Sequence, residues 1–188
     1  FSIWAGIQFI LAFLRKKNAA KGMTDWFKMT EAGFYCTPGE FHVDPTRGAA
    51  RAVVSHAHAD HYPRYCEEVY GTKETMAIAE LRYQKLAAKT SHVREFGLPF
   101  MVGPVEVTFY PAGHILGSSQ ILLEYNGERI LYTGDIDFDE NPTCRPLETP
   151  PGPIDWLICE STFGEKDSHP KAVAVSYTHL TLPTICSV

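Results

Sequence analysis

The sequence predicts an α/β domain, and three observations carry that reading. Short apolar or alternating runs, bounded by Gly, Pro, Asn and Asp, recur from about residue 24 to 173, as strands do. One charged stretch studded with apolar residues, KETMAIAELRYQKLAAK, interrupts them as a packing helix would. The strand candidates end at polar, metal-competent residues, the arrangement expected where chemistry is mounted on loops at the edge of a rigid sheet.

Taken in order, GFYC and EFHVDP read as a hairpin around Thr37-Pro38-Gly39, and AARAVVS as a short strand running into a histidine cluster. The helix candidate places Met76, Ile78, Leu81 and Leu86 among charges, with Thr72 as N-cap, and is expected to be amphipathic. VEVTFYPAGH sets Val105, Val107 and Phe109 on one face. In ILLEYNGERILYTGD, Asn126-Gly127 is the dipeptide of a type I′ turn between antiparallel strands. IDWLICE is a continuous apolar run suited to a buried strand.

With 188 residues, 45% hydrophobic and 12% aromatic, the chain can build one real core, which excludes a disordered protein. A formal charge of −5 excludes a whole-domain basic footprint, so phosphate chemistry would lean on bound cations or on another domain. The five cysteines are scattered and never in CxxC spacing, which argues against a disulfide framework or a cysteine-rich zinc site. They read as reduced thiols of a cytoplasmic protein.

The organisation is expected in three parts. Residues 1–22 open on FSIWAGIQFILAFLRKK, apolar and then basic, and too short to span a bilayer at about twenty residues. This is either the end of a clipped membrane helix or signal, or upstream sequence translated ahead of Met23, and no membrane association is expected. Residues 23–174 form the domain. Residues 175–188 begin VSYTHLTLPT, which matches one frame of a common transposon-based sequencing adapter; His179 and Cys186 are therefore expected to carry no function.

The chemistry gathers in SHAHADH, residues 55–61, with His56, His58, Asp60 and His61. Residues two apart on an extended segment face the same way, so His56 and His58 can present two imidazoles to one ion. Four neighbours crowd a single tetrahedral ion with bonds of about 2.0–2.2 Å, and a second metal beside the first relieves the crowding. Further ligands are on offer at strand ends: His114 in PAGHILGS and Asp135 in YTGDID, whose carboxylate can bridge two cations. Gly113, Gly117 and Gly134 leave room for close backbone approach.

HAHADH followed by PAGHILGS, YTGDID and ESTFG resembles the metallo-β-lactamase fold, and specifically the beta-CASP nucleases. GFYCTPGEFHVDPTR and CESTFG are most similar to the bacterial ligase-associated DNA exonucleases, also called mRNA 3′-end processing factor-like. The resemblance covers about residues 25–168. It implies the N-terminal part of an αββα sandwich of mixed sheets with flanking helices, with the beta-CASP insert and C-terminal part missing. It implies two Zn2+ ions: His56, His58 and His114 on the first, Asp60 and His61 on the second, and Asp135 bridging. Asp44 would brace the metal-binding loop by hydrogen bonds. Asp60 and Glu160 are the candidate catalytic carboxylates, Glu160 acting with a later histidine to protonate the leaving group. That histidine and one further ligand of the second zinc have no match here, so the second site is expected to be incomplete and the isolated chain inactive.

The expected function is a zinc-dependent phosphodiesterase on DNA or RNA, with a possible functional link to a DNA ligase. The alternatives are a small-molecule hydrolase of thioesters or lactams on the same ligands, and a non-catalytic nucleic-acid-binding scaffold.

Overall fold

The computed structural model describes residues 9–12, 24–84, 87–139 and 141–160. Residues 10–160 make one compact unit. Leu86, His179 and Cys186 lie outside the described residues, as does the adapter-like tail.

Among the described residues, twelve strands form two six-stranded sheets and one helix packs beside them. The first sheet contains β2 (Phe27–Thr30), β3 (Gly33–Cys36), β4 (Phe41–Val43), β5 (Arg51–Val53), β6 (Glu68–Gly71) and β7 (Thr90–Val93), in that order across the sheet. The second runs β1 (Phe9–Ala12), β12 (Trp156–Glu160), β11 (Glu128–Tyr132), β10 (Ser119–Tyr125), β9 (Val105–Pro111), β8 (Phe100–Val102). Both are mixed: β4, β5, β6 and β7 pair in parallel, as do β11 and β12, while the hairpins pair antiparallel. The α/β class expected from the sequence is the class observed.

The hairpins form for the reasons their sequences suggested. β3 meets β4 with Phe34 opposite Val43 and Cys36 opposite Phe41, closing on Thr37 to Glu40. Asn126 and Gly127 take φ of 50° and 77°, the positive values a type I′ turn requires, and set Tyr125 opposite Glu128. The sheets face each other through rings: Phe34 lies edge-on to Tyr132 at 5.7 Å, and Trp26 to Tyr125 at 5.5 Å. Val43, Val53, Val107, Phe109, Ile121, Leu123 and Ile130 are fully buried.

The helix α1 (Lys73–Tyr83) differs from expectation in two respects. It stops at Gln84, which takes φ 49°, and does not run through to residue 89. Its buried residues are Thr75, Met76 and Ala79, the last two packed with Ala52 and Val69 of the first sheet and with Val54 just past β5, while Leu81 is 79% exposed. The N-cap is as expected, Thr72 Oγ1 accepting from the Thr75 amide at 3.2 Å. β1 comes from the apolar segment that the sequence reading set aside, and it takes the edge of the second sheet. Among the described residues no helix is long and apolar enough to cross a membrane.

Candidate metal centre

β5 ends at Val53, and the chain leaves the sheet through Val54 and Ser55 into the histidine segment. Ser55 is the hub. Its amide donates to Asp44 Oδ1 at 2.7 Å, its hydroxyl donates to Asp44 Oδ2, and its carbonyl accepts from both the amide and the hydroxyl of Ser119, at 2.9 and 3.0 Å. The histidine segment is thereby tied to β4 through Asp44 and to β10 through Ser119. Gly134 packs directly against this hub at φ 56°: a Cβ there would fall 2.7 Å from Ser55 Cβ.

Four side chains from three segments converge in front of this anchor. His56 Nε2 lies 2.9 Å from His58 Nδ1 and 3.7 Å from Asp135 Oδ2; His114 Nε2 lies 3.3 Å from His58 Nδ1 and 3.5 Å from Asp135 Oδ2. Tetrahedral ligands at about 2.0–2.2 Å from an ion stand roughly 3.3–3.6 Å from one another, so this donor set fits one small divalent cation. All four donor atoms fall within 4.8 Å of one another.

Asp135 also faces the other way. Its Oδ1 is 3.3 Å from His61 Nε2, which is itself 3.7 Å from Asp60 Oδ2. One carboxylate thus points one oxygen at His56 and His114 and the other at His61. Asp60, with 65% of its side chain exposed, sits at the solvent side of this second cluster.

Asp44, His56 and His61 form another close trio of donor atoms. Asp44 is already engaged there: it accepts twice from Ser55, pairs with His61 Nδ1 at 2.8 Å, and takes a hydrogen bond from the buried Tyr132 hydroxyl. These contacts suit a brace that fixes the ring of His61 with Nε2 forward, and not an ion ligand.

His114 is held from behind. The amides of His114 and Ile115 donate to Ser118 Oγ at 3.2 and 3.1 Å, and the Thr72 and Thr75 hydroxyls donate to the Gly117 carbonyl at 2.7 and 3.0 Å. The first turn of α1 therefore locks the PAGHILGS loop. Glu160 lies behind Asp135: its Oε1 accepts from the Ile136 amide at 2.7 Å.

All the ligands expected within the described residues, His56, His58, Asp60, His61, His114 and Asp135, are brought to one place, with Asp44 behind them. Sequence reasoning missed Ser55, Ser118, Ser119 and Tyr132, and it missed the second bond of Thr72. Only Ser55 and Tyr132 carried a signal, by adjoining the HAHADH and TGD runs; Ser118 and Ser119 act through folding alone. Among the described residues no cysteine joins the donor cluster, and burial pushes the Cys36 thiol up to about 12.

The electrostatics prepare the rings for different tasks. Burial, together with the neighbouring His61, drives His56 down to about 2, and burial with His114 lowers His58, so both offer neutral lone pairs at pH 7. Burial would lower His61 too, but hydrogen bonds and charge from Asp135 and Asp44 raise it to about 10. Burial would raise Asp135, but the hydrogen bond and charge of His61 hold it at about 2.

These shifts set how the metal-free protein responds to pH. His61 binds its proton in the folded state up to about 10 and in the unfolded chain only to 6.5, so its stabilisation is complete below 6.5 and fades as pH rises towards 10. His56 stays neutral when folded, so below 6.5 the unfolded chain takes up a proton that the fold refuses, and stability falls with pH. Thermal melts in chelator are expected to peak near pH 6.5 and decline on both sides. A melting temperature that climbs from pH 6.5 to 9 would contradict the His61 assignment.

No family model matches the chain. An RNase J-like protein of Methanocaldococcus jannaschii is 32% identical over 155 residues, covering 72% of this chain and 37% of that protein. A probable DNA ligase of Opitutus terrae is 34% identical over 142 residues, covering 74% of this chain and 13% of the ligase. Cleavage and polyadenylation specificity factor subunit 3 of Dictyostelium discoideum is 42% identical over 67 residues, 36% of this chain and 9% of that protein. The chain is a relative of the beta-CASP nucleases. It spans about a third of the length of the RNase J-like relative and about an eighth of the ligase.

Proposed function

We propose that the chain carries the metal-binding part of a phosphodiesterase acting on DNA or RNA, of exonuclease or 3′-end processing type, with two Zn2+ ions as cofactor. The observation that carries this reading is the split orientation of Asp135, whose Oδ2 faces His56 and His114 and whose Oδ1 faces His61. His56, His58 and His114 would hold one ion and Asp60 and His61 the other, with Asp135 between them. When bound, the ions would supply Lewis-acid neutralisation of phosphate oxygens and a water of lowered pKa.

The chain's own residues do the rest. Asp44 and Ser55 hold the His56 and His61 rings in register, and the Thr72–Gly117 and Ser118–His114 contacts hold the third imidazole against them. Glu160, through the Ile136 amide, fixes the segment that follows Asp135. Its carboxylate is proposed to assist leaving-group protonation beside that loop. His61 must give up a proton before its Nε2 can bind a cation, so zinc uptake at pH 8 should release one.

The second of the relatives, a probable DNA ligase, supports a functional link to strand joining. Free Cys36, Cys66, Cys144 and Cys159 support a reducing, cytoplasmic location. The test is turnover by the zinc-loaded complete protein, with the metal-binding part joined to the rest of the nuclease, on end-labelled DNA and RNA and on a thioester, with and without chelator. Chelator-sensitive strand cleavage is expected. Thioester hydrolysis alone would favour the small-molecule reading, and strand binding with no retained zinc would favour a scaffold.

A further inference from the structure

Phe96 and Arg145 have no part in the donor cluster, yet they wall a cavity of about 210 Å³ beside it, together with Glu74, Leu116, Ser118 and Thr143. Both sides of the cavity are continuous with the His114 loop. Leu116 follows His114 by two residues, which at 3.8 Å per Cα step keeps the two Cα atoms within about 8 Å. On the opposite side Cys144 donates to the Gly113 carbonyl at 3.1 Å, tying the Arg145 loop to the residue that precedes His114.

The cavity is smaller than the roughly 300 Å³ at which sites for drug-sized ligands begin, so it suits one planar ring system and not a whole nucleotide. Its chemistry is also that of a ring site. Arg145 Cζ lies 5.0 Å over the Phe96 ring, which sets a guanidinium beside an aromatic face, and no ion pair among the described residues claims its charge. Guanidinium planes and aromatic rings are surfaces on which unpaired bases stack. Glu74, on the first turn of α1, adds an acceptor for an exocyclic amine. In a chain of net charge −5, an unpaired cation next to a metal-ligand loop is where a polyanionic strand would be drawn.

We propose that this cavity takes a nucleobase of the substrate strand, one flanking the phosphate presented to the metal centre, stacked on the Arg145–Phe96 pair. The proposal rests on the nuclease reading and deepens it by assigning a base-binding subsite.

The test uses the zinc-loaded protein, a fluorescently labelled single strand, and the same strand with one abasic residue stepped along it, read by anisotropy. Hydrolysis of bis(p-nitrophenyl) phosphate, which has no base, is followed in parallel. In the parent an abasic residue at one defined position is expected to weaken binding on the order of tenfold. Arg145→Ala should weaken the intact strand by a similar factor and abolish the abasic penalty, leaving bis(p-nitrophenyl) phosphate hydrolysis unchanged. Arg145→Lys keeps the charge without the plane and should behave like the alanine variant. An abasic penalty that persists in Arg145→Ala, or full binding restored in Arg145→Lys, would overturn the subsite while leaving the nuclease reading intact. A parent that neither binds strands nor hydrolyses the small diester would remove both.

Discussion

Asp135→Ala is expected to empty both halves of the centre at once. The carboxylate places Oδ2 within 3.5 and 3.7 Å of His114 and His56 and Oδ1 within 3.3 Å of His61, so its loss takes an anionic donor from each cluster. What remains is a set of neutral or protonated imidazoles facing one another, which repels cations where the parent attracts them. Several kcal/mol of charge stabilisation at the phosphate would go with the metals, and each 1.4 kcal/mol is tenfold in rate. In the complete protein strand cleavage should fall by about 10³-fold or more, and elemental analysis after dialysis should find less than one ion per chain. The fold should lose less than in Asp44→Ala, because Asp135 is 23% exposed and the buried His61 keeps Asp44 as a partner. His61 should also titrate lower than in the parent, since the Asp135 hydrogen bond, the largest influence raising it, is gone.

Asp44→Ala is expected to act from behind and to cost more stability than any ligand change. Asp44 is 5% exposed and His61 3%, and the carboxylate serves Ser55 twice, His61 and Tyr132. Removing one partner of a buried charged pair costs about 3–5 kcal/mol, a large share of the 5–15 kcal/mol that holds a typical domain together. Asp44 also takes φ 42°, a left-handed conformation that Asp and Asn tolerate better than Ala. Asp44→Asn should therefore lose less stability than Asp44→Ala while still weakening zinc binding by about 10–100-fold, the range for partners that orient a ligand. Denaturant unfolding and competitive zinc titration of the two variants would separate the brace from the backbone strain. Equal stability losses in both would assign the effect to charge alone.

Much of this centre was legible because its ligands are clustered in sequence or stand beside glycines at strand ends. His56, His58, Asp60 and His61 share seven residues, and His114 and Asp135 follow strands whose alternation and Asn-Gly turn are strong local signals. The parts that were not legible depend on partners distant in sequence. β7, Thr90–Val93, is an edge strand with three of its four residues exposed, so TSHV has no apolar period to betray it. α1 ends without the Gly or Pro that usually marks a stop, and Leu81 faces solvent because the sheet meets the helix on Thr75, Met76 and Ala79. The same holds for the supports of the site. The bonds from Thr72 and Thr75 to Gly117 span 45 and 42 residues, and those from Ser119 to Ser55 span 64. No local pattern encodes such pairs; only the packing of α1 and the two sheets brings them together.

The central claim is that one carboxylate divides the imidazoles into two cation sites. Diffraction at the zinc absorption edge, from crystals of the protein grown with zinc, tests it most directly. Two anomalous peaks are predicted about 3.5–4 Å apart on either side of the Asp135 carboxylate, one against His56, His58 and His114 and the other against Asp60 and His61. A single peak lying between Asp44, His56 and His61, or no peak within ligand distance of Asp135, would contradict the account.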